Sequence, residues 1–181
     1  MVKRDIIAEI EVPEGVTLTS EGSTYTFTGK KGSVVRIFNN PQADITVSGN
    51  KIKIKAMTAS KPAKAIINTY RAHTLNAIKG CQEGFRYKLK ICSGHFPMNV
   101  SINNNKLIIK NFLGEKVPRE VKLKPDVEVK IDGTFIFVEG PDKEKTGQMA
   151  ASIEQRTRRP GFDRRIFQDG IYAVEKAGKK I

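Results

Sequence analysis

The chain has 181 residues, of which 39 % are hydrophobic and 28 % charged, so it is long enough for two small domains with buried cores. Lysine and arginine outnumber aspartate and glutamate by 32 to 19, and the resulting net charge of +13 predicts a phosphate-bearing partner. Two cysteines are too few for a disulfide framework, and no apolar run approaches the roughly 18 residues of a membrane span. We therefore expect a cytosolic protein without a membrane partner, and the start of the chain lacks the apolar core of a signal peptide.

An internal repeat is the most informative feature of the sequence. The segment Pro13–Phe38 matches the segment Pro97–Leu123 in the spacing of its apolar residues and turns, with an offset of 82 to 84 residues. A nearly constant offset over dozens of residues indicates a duplication, and a period this long predicts two domains rather than a solenoid. We place the N-terminal domain at residues 1–82 and the C-terminal domain at residues 83–181.

Both halves contain apolar residues that alternate with polar ones, as in strands with one buried face. In the first half the alternating residues are Ile6, Ala8, Ile10, Val12, Tyr25, Phe27, Ile45, Val47, Ile52 and Ile54. The turn Ser48–Asn50 predicts a hairpin between the last two strands. The second half repeats this pattern with Val127, Val129 and Ile131, the turn Asp132–Gly133, and then Phe135 and Phe137.

Four aromatic residues fall on these alternating positions: Tyr25, Phe27, Phe135 and Phe137. We predict that all four pack in the core, because they share the strand face that the two-residue period buries. The alternative is that they form platforms on which nucleic-acid bases stack.

One helix is predicted after the strands of each half. In the first half, Ser60 is a good N-cap, Pro62 lies in the first turn, and Gly80 and Gly84 supply the stop. Its apolar stripe is Ala63, Ile66, Ile67, Tyr70, Thr74, Ala77, Ile78 and Cys81. In the second half, Asp142 caps a helix that Pro160-Gly161 ends. The predicted fold is α+β, with two tandem duplicated domains that are each an antiparallel sheet covered on one face by one helix.

Three stretches of the sequence resemble a known family. Gly84–Ile91 followed by His95–Pro97 is similar to its central stretch, and Lys110–Lys116 is similar to its N-F-L-G-E-K/R stretch. Arg165–Lys176 is similar to its C-terminal signature. On these motifs the chain resembles the large-subunit ribosomal protein L6 family in its archaeal and eukaryotic form, over essentially its whole length.

The resemblance implies a structural protein of the large ribosomal subunit, near the stalk base and the sarcin–ricin loop where translation factors dock. It implies two partners, large-subunit rRNA and the neighbouring ribosomal proteins near the stalk base. It also implies that most rRNA contact is made by the C-terminal domain.

A basic extension after the second helix supplies the candidate RNA-binding residues. Guanidinium groups fork onto phosphate oxygens, and the Pro160-Gly161 break is expected to place the arginines on a loop. The extension carries Arg156, Arg158, Arg159, Arg164, Arg165, Lys176, Lys179 and Lys180. The alternative is a solvated helix end and tail. In this extension, Phe167 and Tyr172 are expected to anchor the chain on the domain, although either could stack on RNA.

Equivalent loops of the two repeats supply further candidates, Lys30 and Lys31 in the first and Lys116 in the second. Glycine beside these lysines lets a backbone approach phosphate closely. The alternative is an ordinary basic turn.

No enzyme, metal or cofactor is predicted. His73 and Cys81 lie roughly 12 Å apart along one predicted helix, too far for one zinc ion to bind both with Cys92 and His95. The residues Gly29–Ser33 depart from a nucleotide-binding P-loop, and no nucleophile–base pair is recognisable. Two other functions are compatible with the sequence, a non-ribosomal RNA-binding module and an enzyme that acts on an acidic substrate. We expect no small-molecule substrate.

Overall fold

The computed structural model describes residues 6–58, 60–163 and 165–181, and the chain divides into two compact units after Gly84. Within the described ranges, no helix combines the length and the apolarity that crossing a bilayer requires.

The N-terminal unit contains two three-stranded antiparallel sheets and a long helix. Its elements are β1 (Ile7–Glu11), β2 (Thr17–Glu21), β3 (Thr24–Gly29), β4 (Gly32–Ile37), β5 (Ala43–Ser48), β6 (Lys51–Ala56) and α1 (Lys61–Gln82). The strand orders are β1-β6-β5 and β2-β3-β4, and α1 packs against both sheets. The predicted helix is confirmed, since Ser60 accepts a hydrogen bond from the Ala63 amide at 3.3 Å and a proline lies in the first turn.

The core of the N-terminal unit follows from the register of its strands. Ile52 and Ile54 on β6 are 2 % and 0 % exposed, and Ile54 lies opposite Ile45 of the neighbouring strand. The turn between β3 and β4 is joined to the end of α1, because the Lys31 amide donates to the Cys81 carbonyl at 2.9 Å. A Cβ atom on Gly29 would lie 2.6 Å from that same oxygen, so the close approach requires glycine there.

The C-terminal unit repeats this plan and extends it. Its strands are β7 (Phe85–Cys92), β8 (Asn99–Asn103), β9 (Lys106–Lys110), β10 (Arg119–Lys122), β11 (Glu128–Asp132), β12 (Phe135–Gly140), β13 (Gly170–Lys176) and β14 (Lys179–Lys180). Its helices are α2 (Lys143–Arg156) and the short 3₁₀ helix Phe112–Gly114. The strand orders are β10-β9-β8 and β11-β12-β7-β13-β14, with antiparallel pairs throughout. The predicted cap Asp142 is confirmed, since its side chain accepts from the Glu144 amide at 2.9 Å.

The predicted α+β class is confirmed, and the structure adds two features to it. The strands of each unit divide between two sheets, which share one helix. The second half of the basic extension forms β13 and β14, and β13 pairs with β7, so this part of the chain is sheet rather than tail.

The prediction for the aromatic residues is half confirmed. Tyr25 and Phe27 are 7 % and 1 % exposed in the N-terminal core. For β12 the prediction was wrong, because its neighbours Ile136 and Val138 are fully buried while Phe135 and Phe137 are only half-buried on the opposite side. Since all four residues are apolar, the two-residue period cannot choose the inner face of this strand.

Replacing Ile54 by alanine should lower the free energy of unfolding of the N-terminal unit by roughly 2–5 kcal/mol, because a fully buried side chain leaves a cavity. Urea denaturation followed by circular dichroism measures the change. Thr46→Ala on the exposed side of β5 is the control, with an expected loss below about 1 kcal/mol. Equal losses for the two variants would contradict the assignment of the inner face.

Candidate nucleic-acid interface

The arginine segment, here defined as residues 156–165, begins with the last residue of α2, and four of its five candidate arginines lie in the part that the structure describes. The prediction that Pro160-Gly161 ends the second helix was wrong, because α2 ends at Arg156 and Thr157 caps it. The Thr157 hydroxyl oxygen accepts a hydrogen bond from the Ile171 amide at 2.9 Å, which draws the end of the helix towards β13. The chain therefore leaves the helix before the proline is reached.

Arg119 on β10 holds the start of the arginine segment. Its Nη1 donates to the Arg156 carbonyl at 2.6 Å and lies 3.5 Å from the Arg158 carbonyl. A helix end leaves such carbonyls without partners, so the guanidinium satisfies groups that would otherwise need water.

Arg119 is itself fixed by its neighbours. It forms two hydrogen bonds to the Glu115 carboxylate, at 2.8 and 2.7 Å, and lies 4.3 Å from the centre of the Phe112 ring. The hydrogen bond from Arg119 lowers the pKa of Glu115, so this pair stays charged well below neutral pH. Arg119 was not predicted from the sequence. The local signal that could have pointed to it is Glu115, an acidic residue four positions earlier.

Asp169, four residues beyond the arginine segment, fixes the chain that follows the segment. Its carboxylate accepts hydrogen bonds from the Gly94 amide at 2.6 Å, the His95 amide at 3.0 Å and the His95 Nδ1 at 2.5 Å. Burial of the side chain, which is 3 % exposed, raises the pKa of Asp169. The hydrogen bonds from His95 and Gly94 outweigh that effect, so the pKa of Asp169 is lowered overall.

A chain of ring contacts connects this carboxylate to the arginines. The His95 ring stacks on Phe167 with 5.1 Å between ring centres, and Phe167 meets the Phe162 ring edge-on at 4.9 Å. The Arg159 guanidinium then lies 4.0 Å above the Phe162 ring. The expectation that Phe167 anchors the extension is confirmed by these contacts.

Most of the predicted basic residues of the C-terminal unit are exposed, and they lie in two places, the arginine segment and the hairpin of β13 and β14. Exposed side chains in and after the arginine segment are those of Arg156, Arg158, Arg159, Arg165, Lys176, Lys179 and Lys180. Arg164 lies outside the described residues. Arg165 is 90 % exposed but forms an ion pair with Asp163 at 2.8 Å, and the same contact lowers the pKa of Asp163.

The three lysines predicted in loops are also exposed. Lys116 follows the 3₁₀ helix and is adjacent to Glu115, so it belongs to the region held by Arg119. Lys30 and Lys31 lie on the turn between β3 and β4 of the N-terminal unit.

No arrangement suited to a metal ion is found in the part of the chain that the structure describes, where no three His, Cys, Asp or Glu side chains converge. The His95 Nδ1 faces the Asp169 carboxylate instead.

Comparison with known proteins finds relatives of both halves of the chain. The family model described as Ribosomal protein L6 matches residues 12–84 and 96–170, one copy in each half of the chain. The large ribosomal subunit protein uL6 of Methanosarcina mazei is 45 % identical over 177 residues, which cover 98 % of this chain and 100 % of that protein. The uL6 proteins of Methanococcus vannielii and Nanoarchaeum equitans are also 45 % identical, over 96 % of this chain and 95 % and 94 % of theirs.

Asp169→Asn should destabilise the C-terminal unit at neutral pH by roughly 1.5–3 kcal/mol, because a neutral amide accepts weaker hydrogen bonds from Gly94 and His95. The folded pKa lies below the value of about 3.9 in an unfolded chain, so the contribution of the carboxylate is present at neutral pH. It is lost as the pH falls through the lowered pKa.

Urea denaturation at about pH 7 and about pH 3 should therefore show a difference between wild type and Asp169→Asn that shrinks in acid. Asp132→Asn, at an exposed strand end, is the control and should have little effect at either pH. A difference between wild type and Asp169→Asn that is the same at both pH values would mean that the charge of Asp169 is not what stabilises the fold.

Proposed function

The chain belongs to the ribosomal protein L6 family, and from this premise we propose that it is a structural constituent of the large ribosomal subunit that binds rRNA through its C-terminal unit. Members of this family support translation as part of the ribosome and perform no catalysis. The observation that carries the proposal is the arginine segment, whose exposed cations are held in place at both ends.

The geometry of the arginine segment suits a phosphate backbone. Arg158 and Arg159 are exposed, and a planar guanidinium donates two parallel hydrogen bonds to a phosphate group. Because Arg119 and Asp169 already hold the backbone of the segment, less conformational entropy is lost on binding. A-form RNA hides the base edges of its major groove, so this surface should recognise backbone and shape.

The proposed RNA-binding residues of the C-terminal unit are the arginines of this segment, Lys116 after the 3₁₀ helix, and the lysines of the hairpin of β13 and β14. They are Arg156, Arg158, Arg159, Arg164, Arg165, Lys116, Lys176, Lys179 and Lys180. In the N-terminal unit, Lys30 and Lys31 are proposed to brace RNA or a neighbouring ribosomal protein. We also propose that the protein lies near the stalk base and the sarcin–ricin loop, and the family resemblance over both halves of the chain supports this location.

Sedimentation tests whether the protein is ribosomal. A tagged copy expressed in Methanosarcina mazei, whose uL6 is 45 % identical, should sediment with large subunits on a sucrose gradient in moderate salt. Recovery at the top of the gradient would favour the alternative, a non-ribosomal RNA-binding module.

A double variant, Arg158→Gln with Arg159→Gln, tests the arginine segment. Filter binding to large-subunit rRNA should show a plot of log affinity against log salt that is shallower by roughly 0.7–0.9 for each lost phosphate contact. Lys61→Gln with Lys64→Gln on the exposed side of α1 removes the same charge from the other unit and should leave the slope unchanged. Equal slopes for wild type and the arginine variant would place the phosphate contacts elsewhere.

A further inference from the structure

Two phenylalanines lie on the side of the five-stranded sheet that faces away from the core. Phe135 and Phe137 alternate along β12 with Ile136 and Val138, which are fully buried and belong to the same core cluster as Met149 of α2. Successive side chains of a strand point to opposite faces, so both rings lie on the face opposite α2. Half-buried aromatic residues on an outer sheet face call for an explanation beyond core packing.

Cations cover these rings. The Lys88 Nζ lies 3.9 Å from the centre of the Phe135 ring and 5.6 Å from that of Phe137. The Arg86 guanidinium carbon lies 4.2 Å from the centre of the Phe137 ring. Both cations belong to β7, the central strand of the sheet, so aromatic and basic side chains interleave at its middle.

The strand register extends the pattern to a third strand. Lys90 of β7 lies opposite Phe135 of β12 on one side and opposite Tyr172 of β13 on the other. We call this surface the aromatic–basic face, and it consists of Arg86, Lys88, Lys90, Phe135, Phe137 and Tyr172. Arg86 is 3.4 Å from Glu139, whereas Lys88 and Lys90 form no ion pair with any other described residue.

The N-terminal unit provides an internal comparison. Strand β6 precedes α1 as β12 precedes α2, and β6 pairs with β1 as β12 pairs with β7. On the outward side of β6, Lys51 and Lys53 form ion pairs with Glu11 and Glu9 of β1, each at 3.1 Å. The fold therefore does not need phenylalanine at these positions. The N-terminal copy pairs its outward lysines with acids, whereas the C-terminal copy places its lysines beside aromatic rings.

We propose that the aromatic–basic face is a second RNA-binding surface, which takes unpaired nucleotides of large-subunit rRNA. The aromatic rings and the Arg86 guanidinium stack on exposed bases, and Lys88 and Lys90 bind the phosphates between them. Unpaired nucleotides fit this surface because their bases can be splayed onto a sheet, whereas the bases of a duplex stay stacked on each other. This inference rests on the proposed function and extends it to a second surface, which borders the arginine segment at Tyr172.

A pair of double variants separates stacking from charge. Phe135→Thr with Phe137→Thr keeps the strand propensity, removes no cation, and should weaken rRNA binding roughly 5- to 100-fold without changing the salt slope. Lys88→Gln with Lys90→Gln should make the salt slope shallower by roughly 0.7 for each lost contact with single-stranded RNA. Phe135→Tyr with Phe137→Tyr should bind like wild type, and thermal melts of each variant check that it is folded.

Lys51→Gln with Lys53→Gln, at the equivalent place of the N-terminal unit, is the matched control and should bind like wild type. Folded variants of the aromatic–basic face that bind rRNA like wild type would overturn the inference. If the Arg158 and Arg159 variant loses binding in the same assay, the proposed function stands without the inference.

The sedimentation assay separates RNA from a protein partner. Normal affinity for free rRNA, combined with loss of the face variants from large subunits, would show that this face binds a ribosomal protein and would overturn the inference. Ultraviolet cross-links between wild-type rRNA complexes and peptides that contain Phe135, Phe137 or Tyr172 are the expected positive result.

Discussion

The buried carboxylate of Asp169 is the contact on which the proposed RNA-binding surface depends. Its donors, Gly94 and His95, lie 75 and 74 residues earlier in the chain, so a single side chain fixes the start of β13 against the entry to β8. A buried charge is costly unless hydrogen bonds replace its water, and three donors do so here. The His95 ring then positions Phe167, and through Phe162 the effect reaches Arg159.

Arg119 fixes the start of the arginine segment. The positive charges of neighbouring arginines repel one another, so contacts with other residues have to fix the conformation of the segment. The structure uses backbone carbonyls and acids for this purpose, since Arg119 binds both the Arg156 carbonyl and the Glu115 carboxylate. The exposed guanidinium groups of Arg158 and Arg159 are left to face a partner from a backbone that is already ordered.

Local features of the fold could be predicted from the sequence, whereas features set by distant contacts could not. The predictions of the caps Ser60 and Asp142 and of the turn Ser48–Asn50 are confirmed, because a cap or a tight turn depends on residues only a few positions apart in the sequence. The inner face of β12 was read wrongly, because four successive apolar residues leave the choice to the partner strand β7. The end of α2 was misplaced for the same reason, since Thr157 binds a backbone amide of β13.

For the candidate site, too, local features could be predicted from the sequence, whereas contacts between distant residues could not. The excess of positive charge and the arginines after α2 were visible in the sequence, but the residues that hold them were not. Glu115, His95 and Asp169 come from three separate stretches that the family resemblance had already singled out, without indicating what each side chain touches. Arg119 lies three residues beyond the second of these stretches. These stretches converge in the structure at the two ends of the arginine segment.

The duplication separates what the fold requires from what a binding surface requires. Ile52 and Ile54 in one copy and Ile136 and Val138 in the other fill the same inner positions, so both copies keep the features that stabilise the core. The outward positions differ, because they carry ion-paired lysines in the N-terminal copy and phenylalanine rings beside cations in the C-terminal copy. The C-terminal copy also has a basic extension after its helix. Because stability constrains the inner face in both copies, the outer face and the extension are where one copy can acquire a partner while its fold is kept. The aromatic–basic face lies on the outer sheet face of the C-terminal copy, and the arginine segment lies in its extension. Both surfaces are expected in this copy if it makes most of the RNA contacts.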